Sequence, residues 1–254
     1  MAYHLVKKLK NCILAGILGS IILIPSNVSA DSIFKGLRGP TNWQLDERII
    51  YSKNEKNVEA ITNNLILKYW NGDELGGWGF ISCPYKYISS SEGSDNGVSD
   101  ISIGLGPRGR IDKFNWFLYG ALAFPTGNFE NKLGNGRFDK KIGYFVTYLT
   151  TNKRFEIDGS LEYNFTGENK KEINPPNELA SGLVTGGKLS NRVRFVSGLT
   201  GLIKEDEDYS LGLRLATRYI VSKSLHSELV YDKVIDSKNI PKSSSISLFF
   251  RLNF

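Results

Sequence analysis

Apolar and polar residues alternate along most of this chain, and the last ten residues show the pattern most clearly. From Ser245 to Phe254 every second residue is apolar, and Phe249 is the one apolar residue on the polar parity. Successive side chains of a β-strand point to opposite faces, so the pattern predicts a strand with one apolar and one polar face. The apolar members of this closing strand are Ile246, Leu248, Phe250, Leu252 and Phe254.

The same period-two pattern predicts eleven further strands, separated by residues that favour turns. The predicted strands cover residues 43–52, 58–70, 77–88, 98–111, 114–124, 138–150, 154–166, 178–189, 193–204, 209–221 and 225–234, of which the first is the weakest. A bulge is predicted at Cys83-Pro84, because proline lacks the N–H that a ladder needs. Short turns are predicted at 71–73, 112–113, 152–153, 191–192 and 223, and loops at 89–97, 125–137, 167–177, 205–207 and 235–243.

The lengths of these segments predict strands that cross a membrane. A tilted strand needs roughly 9 to 11 residues to cross a bilayer, whereas strands of soluble proteins are nearer 5 or 6. Alternation of short turns with longer loops is typical of outer-membrane barrels, and only a closed barrel pairs every backbone group in lipid. We therefore predict an all-β fold, a transmembrane antiparallel up-and-down β-barrel of about 12 strands over residues 43–254. Because both ends are expected in the periplasm the number must be even, and one misread boundary would make it ten or fourteen.

The N-terminal segment has the three parts of a secretory signal peptide. Lys7, Lys8 and Lys10 precede an apolar run over residues 13–24, and Val28-Ser29-Ala30 provides small residues for cleavage. The run is too short for a transmembrane helix. We expect residues 1–30 to be removed, and residues 31–42 to form a lead that stays in the periplasm or tucks into the lumen. Export and a barrel together predict the outer membrane of a bacterial cell as the location.

Charged residues fall mainly on the parity opposite the apolar face, which predicts that they line the lumen. Ions of both signs in an interior need water or each other, so a wet or ion-paired lumen is expected. The lumen-lining candidates are Lys68, Arg108, Arg110, Glu156, Asp158, Glu162, Lys188, Arg194, Arg214, Arg218, His226, Glu228, Asp232 and Arg251. Candidates for aromatic girdles at the two membrane interfaces are Trp43, Tyr69, Trp78, Phe114, Trp116, Tyr209, Tyr219 and Phe254.

Composition narrows the functional classes. Removal of residues 1–30 takes three of the 32 basic side chains and none of the 26 acidic ones, so the mature chain carries a net charge of only +3. That charge is dispersed, so we expect no nucleic-acid partner. Cys83 is then the only cysteine, and no disulfide within the chain is expected. Residues 104–109 have dinucleotide-binding spacing, but Pro107 prevents the helix that should follow. No cofactor and no metal are therefore expected.

Three short motifs carry a resemblance to a known family. They are the glycine-rich strand start at 97–106 with Asp100, Phe-Pro-Thr-Gly-Asn at 124–128, and Leu-Gly-Asn-Gly-Arg-Phe-Asp at 133–139. Over residues 58–254 the chain resembles the outer-membrane family named for the meta-pathway of phenol degradation. The resemblance implies a barrel that passes small, often aromatic or apolar, molecules across the outer membrane. We interpret the motif residues themselves as architectural.

The closing strand also resembles that of bacterial outer-membrane barrels, which the barrel-assembly machinery reads. We therefore interpret Ile246, Leu248, Phe250, Leu252 and Phe254 as an assembly signal. Expected partners are this machinery, outer-membrane lipid and a small-molecule solute that the sequence does not identify.

The functional expectation is a passive channel or uptake port for small solutes, aromatic or anionic, and not an enzyme. Eight-stranded barrels are filled by side chains and sixteen-stranded ones hold broad channels, so twelve strands predict a narrow pore. One alternative is an outer-membrane lipid hydrolase that uses His226, the only histidine of the mature chain, beside Glu228 and Asp232. Another is a plugged barrel with a structural or surface-interaction role.

Overall fold

Thirteen antiparallel β-strands make up the computed structural model, which describes residues 41–254 except 56, 73, 91–92, 151–154, 170–174 and 223. The predicted signal peptide and residues 31–40 of the predicted lead lie outside the described residues. In the described part of the chain, no helix has the length and apolar character needed to cross a membrane. The strands are Thr41–Asn54 (β1), Glu59–Asn71 (β2), Leu75–Ser90 (β3), Gly93–Val98 (β4), Ile101–Ile111 (β5), Phe114–Phe124 (β6), Asp139–Leu149 (β7), Phe155–Phe165 (β8), Glu178–Lys188 (β9), Val193–Lys204 (β10), Tyr209–Ile220 (β11), Leu225–Lys238 (β12) and Ser243–Asn253 (β13).

Twelve of these strands close into a barrel, as the sequence predicted. Strands that follow one another in the chain pair, except that β5 pairs with β3 and not with β4, and β1 pairs with both β2 and β13 to close the ring. The short strand β4 is additional and pairs with the C-terminal end of β3. All twelve predicted strands are present, including the weakest one, which forms β1.

Two segments that were predicted as loops are instead largely strand. Residues 89–97 were predicted to be irregular, yet β3 continues to Ser90 and forms a hairpin with β4. Residues 235–243 were also predicted as a loop, yet β12 extends to Lys238 past a register shift opposite Leu211 and Gly212. Both predictions were wrong because they relied on local composition, which backbone pairing with a neighbouring strand overrides.

The irregularity predicted at Cys83-Pro84 involves the strand opposite. Cys83 and Pro84 face three residues, 99–101, between the pairs Ser82–Ser102 and Tyr85–Val98. The extra residue is a β-bulge that separates β4 from β5. Pro84 has no N–H to donate, but its carbonyl accepts the N–H of Ser99 at 2.7 Å.

The barrel has an apolar outside and a polar inside, the reverse of a soluble core. On β1 the buried side chains include Gln44, Asp46 and Arg48, whereas Ile49 and Tyr51 are exposed. The apolar side chains of the closing strand are all exposed on the outer face: Ile246, Leu248, Phe250, Leu252 and Phe254. Several aromatic residues point inward instead.

Phe249 and Trp78 are two of these inward aromatic residues, and both bear on the sequence predictions. Phe249, the exception in the closing strand, is only 6 % exposed and packs inside with Val184, Val196 and Val230. Trp78 was predicted as a girdle residue, and this was wrong because its side chain is 5 % exposed inside the barrel.

Candidate functional site in the barrel interior

Cross-strand ion pairs fill one side of the interior. The carboxylate of Asp46 accepts from Lys68 Nζ at 2.5 Å and from Arg251 Nε at 3.1 Å. Asp46 and Arg251 are direct partners in the pairing of β1 with β13, so the register itself brings the charges together. Because burial removes water from both ions, each depends on its partner for compensation.

Pairs of the same kind link β11 to β12. Arg214 donates to Asp232 through two nitrogens, at 2.7 and 3.0 Å. Arg218 donates to Glu228 at 2.8 Å, and both pairs are direct partners in the strand register. The Arg214–Asp232 contact is bidentate, a geometry among the strongest hydrogen bonds in proteins, and in both pairs each charge is compensated by the residue opposite it.

Buried carboxylates on β8 also have basic or hydroxyl partners. Glu162 accepts from Lys141 Nζ at 3.1 Å and from the hydroxyl of Tyr119. Glu156 pairs with Arg194, and Asp158 accepts from Thr147 Oγ1 at 2.5 Å. The buried carboxylates along β8 thus find their partners on β6, β7 and β10.

A cluster of aromatic rings lies inside the barrel on β2, β3, β6 and β7. Phe117 stacks on Phe145 with ring centroids 4.5 Å apart, and Trp78 meets Phe117 edge-on at 4.7 Å. The buried aromatic residues of the cluster are Trp70, Trp78, Phe117, Tyr119 and Phe145; Ala121 is buried among them, and Phe80 packs against them. Sequence reasoning missed this cluster, although one signal was available. Residues 114–124 are apolar on both parities, which is unnecessary for a strand that faces water on one side.

A cavity of about 150 Å³ adjoins the aromatic cluster. Its walls combine aromatic and charged side chains, and the segment between β6 and β7 contributes Asn135 and Arg137 to them. Aromatic residues in the wall are Trp78, Phe80, Tyr119 and Phe145; basic residues are Arg48, Lys68, Lys86, Arg137 and Lys141; acidic residues are Asp100, Asp139, Glu162 and Glu178.

Lys86 differs from the other lysines of this cavity. Its side chain is 3 % exposed, and its ammonium donates to the carbonyl of Lys132 at 3.4 Å. Lys68 and Lys141 each form an ion pair, whereas Lys86 forms none with any carboxylate of the described residues. A buried cation with one long hydrogen bond to a neutral group can still accept an anionic partner.

The three family-like motifs meet around the carboxylate of Asp100. Its Oδ1 accepts the N–H of Gly127 at 3.0 Å and its Oδ2 accepts the N–H of Asn135 at 2.6 Å. Thr126 Oγ1 donates to the carbonyl of Ser99 at 3.0 Å and accepts from the N–H of Ile101 at 2.9 Å. The segment 125–138 is therefore tied to the bulge between β4 and β5, and we call this arrangement the Asp100 clamp.

Two glycines allow the clamp to form. A Cβ on Gly134 would lie 2.2 Å from Asp100 Oδ1, and one on Gly127 would lie 2.8 Å from the Cα of Gly134. No side chain fits at either distance, so both positions require glycine. Leu133 is buried at 4 % exposure, and Asn135 and Arg137 line the cavity, so the clamp holds the segment against the cavity.

The predicted lumen residues divide into buried and exposed groups. Buried or partly buried inside the barrel are Lys68, Arg108, Glu156, Asp158, Glu162, Arg194, Arg214, Arg218, His226, Glu228, Asp232 and Arg251. Arg110 and Lys188 are exposed beside short turns. The structure does not bring these two into the interior, because near a strand end side-chain parity no longer decides burial. Lys86, Arg48 and Asp100 line the cavity and were not among the predicted residues.

His226 lies apart from the cavity. It lines a small crevice together with Arg218, Ser227, Glu228 and Arg251. Among the described residues that line the cavity, His226 is absent. The crevice and the cavity are thus separate features of the interior.

Several solved outer-membrane proteins share this architecture. The COG4313 outer membrane channel from Pseudomonas putida F1 has a TM-score of 0.70 at 14% identity, over 85% of this chain and 96% of that one. The NanC porin has a TM-score of 0.57 at 11% identity, over 82% and 98%. The CymD monoaromatic hydrocarbon channel has a TM-score of 0.52 at 9% identity, over 89% and 91%. At these identities the likeness establishes a common fold, and a search of curated proteins gives no match.

Family membership rests on the sequence itself. Residues 61–250 match the model of a family described as "Putative MetA-pathway of phenol degradation". The match covers most of the barrel and includes all three motifs of the Asp100 clamp. The chain therefore belongs to this phenol-degradation-pathway family.

Proposed function

We propose that this protein is an outer-membrane channel through which small solutes diffuse, and that small aromatic carboxylates are the solutes its interior fits best. The observation that carries the proposal is the cavity, whose wall contains both aromatic rings and the buried side chain of Lys86. The solved neighbours include outer-membrane channels and porins, one of them described as a monoaromatic hydrocarbon channel. Their fold is the one that a passive channel uses.

The aromatic wall gives the cavity a preference for flat rings. Phe145 and Tyr119 stack nearly parallel at 5.7 Å, and Trp78 meets Tyr119 edge-on at 5.6 Å. A further ring would extend the cluster in the offset or edge-on geometries that aromatic pairs prefer, each worth roughly 0.5–1.5 kcal/mol beyond burial. A cavity of about 150 Å³ is large enough for a benzene ring, because engineered apolar cavities of that size bind benzene.

Lys86 gives the cavity its preference for an anion. The other cavity lysines, Lys68 and Lys141, are already paired with Asp46 and Glu162. The guanidinium of Arg48 lies 3.9 Å above the ring of Phe249. A solute carboxylate would thus give the ammonium of Lys86 an anionic partner through a charge-assisted hydrogen bond, without breaking an existing ion pair.

The remaining proposals concern location and assembly. The resemblance to outer-membrane channels favours the outer membrane, and we propose that residues 1–30 direct export to it. The exposed apolar side chains of β13 support our interpretation of the closing strand as the assembly signal. Lipid and the barrel-assembly machinery would then be its partners.

Single-channel recording of the refolded mature protein tests the function. We expect discrete conductance steps that benzoate blocks, with weaker block by phenol, which lacks the carboxylate, and by cyclohexanecarboxylate, which lacks the aromatic ring. In Lys86→Gln the benzoate block should weaken by roughly ten- to a hundredfold, because a hydrogen bond to a charged group contributes about 1.5–3 kcal/mol. Lys53→Gln is the matched control, since Lys53 is exposed and pairs with Glu59.

Two results would contradict the proposal at different levels. Conductance without block by benzoate would keep the channel but reject the solute class. Protein that inserts and resists detergent unfolding, yet conducts nothing, would reject the open channel and favour the plugged barrel.

A further inference from the structure

Glu47 is a charged residue on the apolar outer face of β1. Its chain neighbours Asp46 and Arg48 are buried inside, so the alternation of the strand turns Glu47 outward. Its carboxylate Oε1 accepts the side-chain N–H of Asn63, on β2, at 3.0 Å. The two polar groups form a hydrogen-bonded pair on the surface that faces lipid.

The pair lies near the middle of the apolar band. Glu47 is four residues from Trp43 and four from Tyr51, which are both exposed on the outer face. At about 3.3 Å per residue each aromatic is roughly 13 Å away along the strand, and the apolar band of such barrels is about 25 Å tall. The cross-strand partners of Glu47 are Phe250 and Leu65, both exposed and apolar.

Within the described strands, the other charged side chains that face outward lie near loops or turns. Lys53 and Glu59 face each other at the ends of β1 and β2, and Lys233 pairs with the second residue of β13. Lys140 is the second residue of β7, and Asp236 and Lys238 lie within the last three residues of β12. Glu47 is therefore the one charge that the described strands place at mid-depth on the outer face.

The hydrocarbon tails of lipid cannot form hydrogen bonds with the remaining polar atoms of Glu47 and Asn63. The contact between Glu47 and Asn63 uses one carboxylate oxygen and one amide N–H, while lipid chains neither donate nor accept hydrogen bonds. Ionisable residues at mid-depth in membrane proteins nearly always face protein or water. The pair also carries both a donor and an acceptor, so it is complementary to a second copy of itself.

We propose that Glu47 and Asn63 form the centre of a contact between two copies of this barrel. In a two-fold arrangement Asn63 of each copy donates its second N–H to Glu47 of the other, so both carboxylates gain a donor at once. The exposed side chains of Leu65 and Phe250 flank the contact on either side. Cys83, which pairs with Leu65 in the register, lies exposed in the same row of the outer face.

The oligomeric state of the refolded mature protein in lipid vesicles tests this contact. Cys83 is the natural attachment point for a spin label, and we expect pairs of labels at one short, well-defined distance even when lipid is in large excess. In Glu47→Leu that distance should disappear, with dimer dissociation raised at least roughly tenfold. Asn63→Leu should act in the same way, and Lys53→Leu, outside the band, should leave the dimer unchanged.

Three results would overturn the proposal. Wild-type barrels that stay monomeric at every protein-to-lipid ratio would do so, as would dimers that persist unchanged in Glu47→Leu or labels at random distances. If Glu47→Leu fails to fold, Glu47→Gln can replace it, because glutamine keeps the polar pair with Asn63. The label distances in the wild-type protein then decide on their own whether the barrels form the dimer. Channel conductance is a separate readout, since each barrel contains its own cavity.

Discussion

The two sides of the barrel interior are built from different chemistry. On the side of β1 and β11–β13, the buried charged side chains form ion pairs such as Asp46–Arg251 and Arg214–Asp232. On the side of β3, β6 and β7, aromatic rings pack against one another and border a cavity. The comparison teaches that buried charge alone does not mark a solute route, because saturated pairs have no attraction left for a ligand. The informative charge is Lys86, which lies near the aromatic side and forms no ion pair with the described residues.

The paired side therefore stabilises the barrel, and the aromatic side provides the binding surface. Opposite charges placed directly across neighbouring strands fix the register as well as the strand order. Packed aromatic rings accommodate a small solute more easily than ion pairs do, because the rings can make dispersion and quadrupole contacts with the solute as well as with one another. Substitutions on the paired side should therefore act mainly on stability, and substitutions on the aromatic side mainly on the binding of the solute.

Asp46→Ala should cause the largest loss of stability. The change leaves Lys68 and Arg251 buried without their carboxylate, and breaking a buried ion pair on one side costs about 3–5 kcal/mol. Urea unfolding of the refolded protein in lipid measures the loss. The triple variant Asp46→Leu, Lys68→Leu, Arg251→Leu should recover most of it, because no ion is then left alone. A loss below about 1 kcal/mol in Asp46→Ala would show that water compensates these charges.

Asp100→Ala should release the segment 125–138 with a smaller effect on overall stability. It removes two backbone hydrogen bonds to a carboxylate, each worth roughly 1.5–3 kcal/mol locally. Because Asn135 and Arg137 of this segment line the cavity, we expect larger and noisier conductance steps. Gly134→Ala should act in the same direction, since its Cβ would displace Asp100 Oδ1. Unchanged conductance in both variants would show that the clamp does not narrow the route.

Phe145→Leu should separate the aromatic side from the paired side. Its stacking on Phe117 and Tyr119 contributes roughly 0.5–1.5 kcal/mol per ring pair, so a modest loss of stability is expected. Benzoate block should weaken several-fold, while block by cyclohexanecarboxylate should change little. The reference is Val196→Ala, which alters packing on the opposite side of the interior and should leave the benzoate block intact. Equal effects of the two variants on block would indicate that packing in general, and not the aromatic surface, governs the solute.

Alternation in the sequence was sufficient to predict the barrel and the direction of most side chains. It failed at Trp78, which belongs to a region where both parities are apolar, so the pattern could not tell inside from outside. Arg110 and Lys188 have the inward parity but lie beside turns, where the wall ends. The Asp100 clamp was anticipated only as three architectural motifs, because its contacts join residues up to 35 positions apart. Strand register decides such contacts, and no local pattern encodes it.

Glu205→Gln should have the smallest effect, and it contrasts a solvent-exposed bridge with the buried pairs. Glu205, between β10 and β11, accepts from the hydroxyl of Tyr163 at 2.7 Å and from Asn177 Nδ2 at 3.0 Å. These hydrogen bonds, that from Tyr163 first, lower the pKa of Glu205 below its ordinary value. The bridge therefore stabilises the fold above the unfolded-state pKa, and this contribution is lost as the pH falls through the lowered one. Melting temperatures of wild type and Glu205→Gln should differ slightly at pH about 7 and converge in acid. A difference that persists in strong acid would mean that the Gln side chain disturbs the loop for a reason unrelated to charge.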